Sequence, residues 1–340
     1  MPRLFLLFYV MDVTFEQIHS LFERSTSIVL TTHINPDGDA IGSEVALAAF
    51  LENKGKETLI VNLSETPKNL KFLSSIHPIV TFSASDHGQR IENADAFVVL
   101  DANQTSRFEA VWKTAKKSKA YKLCIDHHPS RQHFADGFYI DEKASATGEI
   151  IYHLIASKDL SAITQPIAEG LYAAIMTDTG SFRFPSTSTE VHRITGHLLE
   201  RGANPSRLYQ KIFEEGPVNK LLLLGKALQS LQITHNGLVA YMTLPRSAFK
   251  ETKTTEEDTD NMINFTLTIE GVKIGMLFTE LPEGVKVSFR SKGKIPVNML
   301  AQEFGGNGHL NAAGARLSET GLNEVVKKVV EHSKRYVANL

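Results

Sequence analysis

The chain of 340 residues lacks several features that would place it outside the cell, in a membrane or on duplex nucleic acid. It has one cysteine, Cys124, so an internal disulfide is excluded and an oxidising compartment is not indicated. No run of about 20 apolar residues is present for a membrane-spanning helix. The formal net charge of −2 gives no broad basic surface for long duplexes. We therefore expect a cytoplasmic globular protein without a membrane partner.

The first ten residues need separate treatment. Residues 4–10 are apolar and follow Arg3, as in a secretory leader, but the run is short and lacks a small-residue cleavage site. We expect residues 1–10 to be a start-site extension, with Met11 as the native start.

The chain is long enough for two domains of ordinary size. Strand and helix patterns alternate over residues 12–201, which predicts an α/β domain with a doubly wound parallel sheet. The predicted strands are residues 27–32, 58–63, 96–100 and 121–125, and the predicted helices are 14–23, 40–53, 145–157, 165–177 and 189–201.

Gly202-Ala203-Asn204-Pro205 interrupts this alternation, so we predict a linker or hinge at 202–225, followed by a smaller α/β domain at 226–340. Strands are predicted at 238–244, 263–269, 273–280 and 285–290, and a terminal amphipathic helix at 321–338. The polar stretch 250–260 predicts a solvated, mobile loop.

Six acidic and histidine side chains follow apolar segments and are candidate metal ligands. They are His33, Asp37, Asp39, Asp101, His127 and Asp178. Each aspartate by itself could be a helix cap or turn residue, and paired histidines can serve packing alone. However, the carboxyl ends of parallel strands meet at one edge of a sheet, where ligands gather. This expected convergence favours a shared metal-binding site over separate capping and packing roles.

Carboxylates and imidazoles without thiolates suit Mn²⁺ or Mg²⁺, and less well Fe²⁺ or Zn²⁺. Six ligands exceed what one such ion usually takes from protein, whereas two ions sharing a carboxylate would use them all. Paired ions about 3.5–4 Å apart are a standard device for attacking phosphoryl groups. The ligand set therefore predicts two divalent ions and phosphoester chemistry.

The second predicted domain contains a glycine-rich run, Phe304-Gly305-Gly306-Asn307-Gly308-His309. Clustered glycines let backbone N–H groups approach an anion closely, although such turns can also serve only to reverse the chain. Arg290, Ser291 and Lys292 on the preceding strand add phosphate-binding chemistry, unless they are solvated edge-strand residues. We take Arg290, Ser291, Gly305, Gly306 and His309 as candidate substrate-binding residues.

Taken in order, these motifs resemble a known family. His33-x-x-x-Asp37-x-Asp39, Asp101, Asp126-His127-His128 and Asp178-Thr179-Gly180 are similar to the four motifs of the DHH phosphoesterase superfamily. The Gly-Gly-Asn-Gly-His run with Ala312-Ala313-Gly314 resembles its DHH-associated C-terminal domain. The branch it resembles implies hydrolysis of very short oligoribonucleotides, of pApA and of adenosine 3′,5′-bisphosphate.

The resemblance also implies residue roles. One Mn²⁺ would be held by His33, Asp37 and Asp101, and the other by Asp39, Asp101, His127 and Asp178, with Asp101 bridging. His128 would face the scissile phosphate, Asp126 would act behind the ligands, and Arg290 and His309 would hold substrate phosphate. We hypothesise that the two ions activate water while the hinge closes the second domain over the substrate. The expected partners are short single-stranded RNA or small nucleotides, and a homodimer is one expectation for assembly.

Two alternatives stay open at this point. An inorganic pyrophosphatase or exopolyphosphatase has a similar first domain, but those proteins lack the glycine-rich run found here at 305–314. A nucleotide-binding sensor on the same fold would be expected to have lost ligands, and all six candidates are present. We therefore expect an enzyme, a hydrolase.

Overall fold

The computed structural model describes residues 11–129, 131–318 and 321–338. The chain forms two compact units, the first ending at Glu215 and the second beginning at Gly216, a division that falls inside the segment 202–225. Residues 1–10, with the start-site prediction, lie outside the described residues. Among the helices described, none combines the length and the apolar character needed to cross a membrane.

Thirteen strands and twelve α-helices are described. The strands are β1 (Met11–Asp12), β2 (Ser27–Thr31), β3 (Glu57–Asn62), β4 (Ile79–Thr81), β5 (Ala96–Leu100), β6 (Tyr121–Asp126), β7 (Gly137–Ile140), β8 (Gln232–Thr234), β9 (Val239–Leu244), β10 (Ile274–Leu281), β11 (Gly284–Ser291), β12 (Asn307–His309) and β13 (Ala312–Leu317). The α-helices are α1 (Phe15–Arg24), α2 (Gly38–Asn53), α3 (Ala84–Asn93), α4 (Glu109–Ala115), α5 (Thr147–Ala156), α6 (Gln165–Asp178), α7 (Thr189–Glu200), α8 (Pro205–Tyr209), α9 (Val218–Gln229), α10 (Arg246–Thr252), α11 (Val297–Gln302) and α12 (Leu322–Ser333).

The first unit contains a seven-stranded, all-parallel sheet in the order β1-β7-β6-β5-β2-β3-β4. The predicted fold class is therefore confirmed, and three short strands, β1, β4 and β7, are added to the four predicted ones. From β2 the chain runs outward through β3 and β4, then returns to place β5 on the other side of β2. Such a switch in strand order opens a crevice at the carboxyl ends of the strands.

Helices α2 and α6 approach each other unusually closely. A Cβ atom added at Gly42 would lie 2.4 Å from the carbonyl oxygen of Gly170, and one at Gly38 would lie 2.4 Å from Cγ2 of Thr177. Residues 38–51 of α2 are all buried, so the helix is enclosed by apolar neighbours. The two glycine contacts set the start of α2 beside the end of α6.

We expect Gly42→Ala to destabilise the protein by about 1–3 kcal/mol, because the added methyl group collides with backbone that cannot move independently. Gly196→Ala is the matched control: Gly196 lies inside α7, and an added Cβ meets nothing within 4 Å. That change should stabilise by up to about 1 kcal/mol. Urea unfolding of both variants checks this, and equal unfolding free energies would contradict the packing argument.

A buried polar chain lies beside β2. Glu44 on α2 is fully buried, and its Oε2 accepts a hydrogen bond from Nδ2 of Asn62 at 2.7 Å. Oδ1 of Asn62 in turn accepts from the backbone N–H of Thr32 at 3.2 Å, one residue before His33. Burial raises the pKa of Glu44 to about 8, although the hydrogen bond from Asn62 lowers it. Glu44 is therefore a neutral acid near pH 7.

This raised pKa predicts a pH-dependent stability. The contribution of Glu44 is fully present below its ordinary pKa of 4.5 and is lost as the pH rises through about 8. Glu44→Gln carries no such proton, so its unfolding free energy should exceed that of the parent increasingly between pH 5 and 9, by a few kcal/mol at the upper end. Denaturant unfolding across this range measures the difference.

The exposed Glu200 provides the control for that experiment. Glu200→Gln makes the same substitution at an exposed position of the same unit and should not reproduce the pH-dependent gain in unfolding free energy. Parallel curves for Glu44→Gln and the parent protein would show that Glu44 does not titrate as proposed.

The second unit is built on a six-stranded sheet in the order β12-β13-β11-β10-β9-β8, antiparallel except where β9 meets β10. Its main core lies between the sheet and helices α11 and α12. On β11, Val285, Val287, Phe289 and Ser291 are buried, whereas the alternate positions 284, 286, 288 and 290 are partly exposed on the opposite face. This period of two decides which side chains can meet a ligand.

Two predictions in this unit are wrong. Residues 263–269 form a 3₁₀ helix (Met262–Thr268) instead of a strand, because the buried positions are Met262, Ile263 and Thr266, at helical spacing. The segment 250–260 is a short helical region instead of a loop. It contains the end of α10 and a 3₁₀ helix at 256–259, begun by a capping box between Thr255 and Asp258.

Candidate metal centre

The six candidate ligands converge at one edge of the parallel sheet. His33 follows β2, Asp101 follows β5 and His127 follows β6, and these three strands are neighbours. Asp37 and Asp39 lie at the start of α2, and Asp178 is the last residue of α6. Ligand atoms in three groups lie within 4.8 Å of one another: His33, Asp37 and Asp101; Asp39, His127 and Asp178; and Asp101, Asp126, His127 and His128.

Asp101 stands between two of these groups. Its Oδ2 lies 3.4 Å from Nε2 of His33, and its Oδ1 lies 3.6 Å from Nε2 of His127. The hydroxyl of Thr147 donates to Oδ1 at 3.0 Å and fixes the carboxylate, which is 2% exposed. The Asp101 backbone has φ of 57°, a left-handed conformation that Asp adopts more readily than most residues. Asp101 therefore has one carboxylate oxygen facing each group.

The first group joins His33, Asp37 and Asp101. Nδ1 of His33 is 2.9 Å from the carbonyl oxygen of Ile34, so this nitrogen carries the proton, and Nε2 is the nitrogen left to bind a cation beside the carboxylates. Asp37 serves two purposes. Its Oδ1 accepts from the N–H groups of Asp39 and Ala40 as the N-cap of α2, while Oδ2 lies 3.9 Å from Nε2 of His33. The capping role and the ligand role are therefore compatible.

The second group joins Asp39, His127 and Asp178. Nε2 of His127 lies 3.8 Å from Oδ2 of Asp39 and 3.5 Å from Oδ2 of Asp178. Nδ1 of His127 is 3.2 Å from the carbonyl oxygen of Ala144, so Nε2 again is the nitrogen left to bind a cation.

Asp39 is held by the N-terminus of α5. The backbone N–H groups of Thr147 and Gly148 donate to its two oxygens at 2.6 and 2.9 Å, and the hydroxyl of Ser43 donates at 3.1 Å. Sequence reasoning missed all three donors. A signal was present, since α5 has Ala146 at its N-cap, which cannot satisfy the first N–H groups of the helix.

The electrostatics of the cluster fit a bound cation. Burial raises the pKa of Asp101 well above its usual value, and so does the negative charge of Asp39. Burial and Asp39 likewise raise the pKa of Asp178 to about 8. Within the described residues, no lysine or arginine forms an ion pair with Asp39, Asp101 or Asp178. Buried carboxylates that lack a basic partner are stabilised by a divalent ion, so this cluster can hold metal.

Asp126 orients the two histidines that follow it. It is fully buried, and its Oδ1 accepts from the backbone N–H groups of His127 and His128 and lies 2.8 Å from Nδ1 of His128. Burial lowers the pKa of His128, but the hydrogen bond and charge of Asp126 outweigh it, so the pKa is raised overall. Asn103, which sequence reasoning also missed, donates to the His128 carbonyl at 2.9 Å.

The candidate substrate residues belong to the second unit. Arg290 lies on the partly exposed face of β11, and its Nη1 donates to the carbonyl oxygen of Phe289. Burial lowers the pKa of Arg290 while the charge of Asp260 acts in the opposite direction, and no ion pair to its guanidinium is formed within the described residues. A desolvated guanidinium with few protein partners is suited to an anionic ligand.

The structure does not place Ser291 with Arg290. Ser291 faces the core, where its hydroxyl donates to the carbonyl oxygen of Ile295 and accepts from Nδ2 of Asn311. We therefore leave Ser291 out of the substrate-binding residues.

The glycine-rich run is shaped by its backbone. Gly305 has φ of 72°, and a Cβ added at Gly306 would lie 2.1 Å from the carbonyl oxygen of Gly314, so β12 and β13 can approach only with glycine there. The backbone of His309 pairs with Ala312, whereas its side chain lies outside the described part of the structure.

Comparison with known proteins identifies both parts of the chain. The DHH family N-terminal domain matches residues 27–175, and the DHHA1 domain matches residues 235–339.

Relatives cover nearly the whole length. The chain is 32% identical to the bifunctional oligoribonuclease and PAP phosphatase NrnA of Thermus thermophilus, over 89% of this chain and 88% of the relative. It is 29% identical to the protein of the same name from Bacillus subtilis, over 86% and 89%. The crystal structure of an exopolyphosphatase-related protein from Bacteroides fragilis superposes with a TM-score of 0.91 at 29% identity, over 96% and 97% of the two chains. The chain belongs to the DHH family, with a DHH N-terminal domain followed by a DHHA1 domain, as its motifs predict.

Proposed function

We propose that this chain is a metal-dependent hydrolase that cleaves short oligoribonucleotides, including pApA, and also acts on adenosine 3′,5′-bisphosphate. The observation that carries the proposal is the position of Asp101, with one oxygen facing each of two ligand groups. The NrnA relatives, named as oligoribonucleases and PAP phosphatases, support the substrate class. Arg290 supplies a phosphate-binding cation in the second unit. A cytoplasmic location stays a prediction.

The described ligands are sufficient for two ions. His33, Asp37 and Asp101 would hold one, and Asp39, Asp101, His127 and Asp178 the other, with Mn²⁺ preferred and Mg²⁺ as the alternative. Such a pair lowers the pKa of a water molecule and neutralises charge on phosphoryl oxygens.

The chain's own residues prepare this chemistry. The carbonyl oxygens of Ile34 and Ala144 fix the His33 and His127 rings, and the N-terminus of α5 fixes Asp39, so little reorganisation is needed on binding. We assign charge stabilisation or proton donation at the scissile phosphate to His128, held by Asp126. Arg290 and the glycine-rich run, with Gly305, Gly306 and His309, would bind substrate phosphate.

The number of ions is tested by calorimetric titration of Mn²⁺ into metal-free protein. We expect two ions in the parent protein and one each in His33→Ala and Asp178→Ala, because each variant removes a ligand from a different group. His153→Ala removes a histidine outside the cluster and should retain two ions. A single ion in the parent protein, or the same remaining site in both ligand variants, would contradict the assignment.

The activity is tested by a substrate panel with Mn²⁺: RNA of two to five nucleotides, pApA, adenosine 3′,5′-bisphosphate and pyrophosphate. We expect the nucleotide substrates to be cleaved faster than pyrophosphate. His127→Ala should lose at least about 100-fold in rate, since it removes a ligand, and His153→Ala should retain normal activity.

The outcomes of this panel separate the candidate functions. Pyrophosphate as the fastest substrate would favour the inorganic pyrophosphatase alternative. Tight nucleotide binding without turnover would favour a sensor. A near-normal rate in His127→Ala would contradict the proposed metal chemistry.

A further inference from the structure

In addition to Arg290, two positive charges lie on the partly exposed face of β11 and β13. Lys286 and Arg316 occupy directly opposite positions in the antiparallel register. Like charges in such a pair repel each other. Glu256 relieves this repulsion: its Oε1 lies 2.9 Å from Nζ of Lys286 and also accepts from Nη2 of Arg316. In the part of the chain that the structure describes, the two cations thus share one carboxylate.

The Glu256 carboxylate is ionised in this position. Burial acts to raise the pKa of Glu256, but the hydrogen bonds from Lys286 and Arg316 lower it overall. An arginine and a lysine that converge on one anion are also the groups that bind phosphate, the first through its planar fork and the second as a point charge. Lys286 and Arg316 therefore form an anion site, and the anion that they contact in this structure is the Glu256 carboxylate.

Small residues separate this anion site from Arg290. In the register of β11 and β13, Arg290 lies opposite Ala312, Ser288 opposite Gly314, and Lys286 opposite Arg316. A Cβ added at Gly314 would have no non-neighbouring heavy atom closer than 3.7 Å, so the surface between the two ends is low. No large side chain of β11 or β13 stands between Arg290 and Lys286, and the carboxylate that acts on both is Asp260, whose negative charge a bound phosphate would also face.

The distance between Arg290 and the pair of Lys286 and Arg316 sets the minimum size of a ligand that could contact both. Lys286 and Arg290 are four residues apart on one strand, which at about 3.3 Å per residue is roughly 13 Å. A single phosphate is too small to contact both. Phosphates on neighbouring nucleotides also lie closer together than this, so the ligand needs more than two nucleotides.

We propose that Lys286 and Arg316 form a second phosphate subsite, which binds one phosphate of an oligoribonucleotide while Arg290 binds another, and that Glu256 competes with the phosphate at Lys286 and Arg316. This rests on the proposed function, in which Arg290 holds substrate phosphate. Substrates of one or two nucleotides contact Arg290 alone and do not sense Glu256. Lys286, Arg316 and Glu256 therefore determine how strongly RNA of more than two nucleotides is preferred over shorter substrates.

The test compares KM for 5′-phosphorylated oligoribonucleotides of two and five nucleotides. Glu256→Gln should lower KM for the five-nucleotide substrate by roughly two- to fivefold, because the competing charge is removed. Lys286→Ala should raise that KM by a similar or larger factor. Both variants should leave KM for the dinucleotide unchanged. Glu257→Gln is the matched control, since it removes the same charge from the next residue, which is exposed and forms no ion pair with Lys286 or Arg316 among the described residues.

A binding measurement gives a second readout that does not depend on turnover. In an inactive Asp101→Asn background, fluorescence anisotropy of the five-nucleotide RNA is followed against salt concentration. Lys286→Ala should reduce the slope of log affinity against log salt by about 0.7–1, the value for one phosphate contact, and should leave the dinucleotide slope unchanged. If Lys286→Ala lowers the melting temperature, Lys286→Gln removes the charge while keeping most of the side chain.

Failure of this inference can be told from failure of the proposed function. If the parent protein cleaves both RNAs but the Glu256 and Lys286 variants change both KM values by the same factor, the subsite is wrong and the function stands. If the parent protein cleaves neither RNA, the proposed function is wrong. In that case the slopes of log affinity against log salt alone test the subsite. An unchanged slope for the five-nucleotide RNA in Lys286→Ala would show that Lys286 binds no phosphate of that RNA.

Discussion

Mutual repulsion among buried carboxylates is the constraint on which the first unit depends. Asp39, Asp101 and Asp178 meet in a small volume where no lysine or arginine of the described residues forms an ion pair with them, and their raised pKa values express the cost. Packing must impose this proximity, because electrostatics opposes it. The close contact of α2 with α6 brings Asp39 to Asp178, while the neighbouring strands β2, β5 and β6 bring Asp101 between two histidines. Divalent ions would convert the repulsion into binding energy.

The sequence predicts those site residues whose positions follow from local rules. A side chain that ends a buried parallel strand must lie at the carboxyl edge of the sheet, so His33, Asp101 and His127 could be expected to meet. No local rule says which ligand the donors of the site will meet. Thr147 and Gly148 are more than a hundred residues from Asp39 along the chain and contact it only through tertiary packing. The division of the two Asp101 oxygens between different groups also results from tertiary packing and has no signal in the sequence.

The second unit shows where periodic patterns mislead. Residues 263–269 alternate apolar and polar side chains like a strand, yet the segment folds as a 3₁₀ helix whose buried positions follow a different spacing. Ser291 is next to Arg290 in the sequence, but a strand sends neighbours to opposite faces, so the two cannot share a ligand through their side chains. Register is the information that the sequence lacked. Once it is known, it groups Arg290, Ser288 and Lys286 on one surface.

Asp37 is the N-cap of helix α2 as well as a candidate ligand. One of its oxygens completes the hydrogen bonding of α2, and the other faces His33. Because these tasks are divided between two atoms, the helix does not require an ion to begin at this residue. The start of α2 therefore does not depend on the supply of metal, and Asp37 is already in place when an ion arrives.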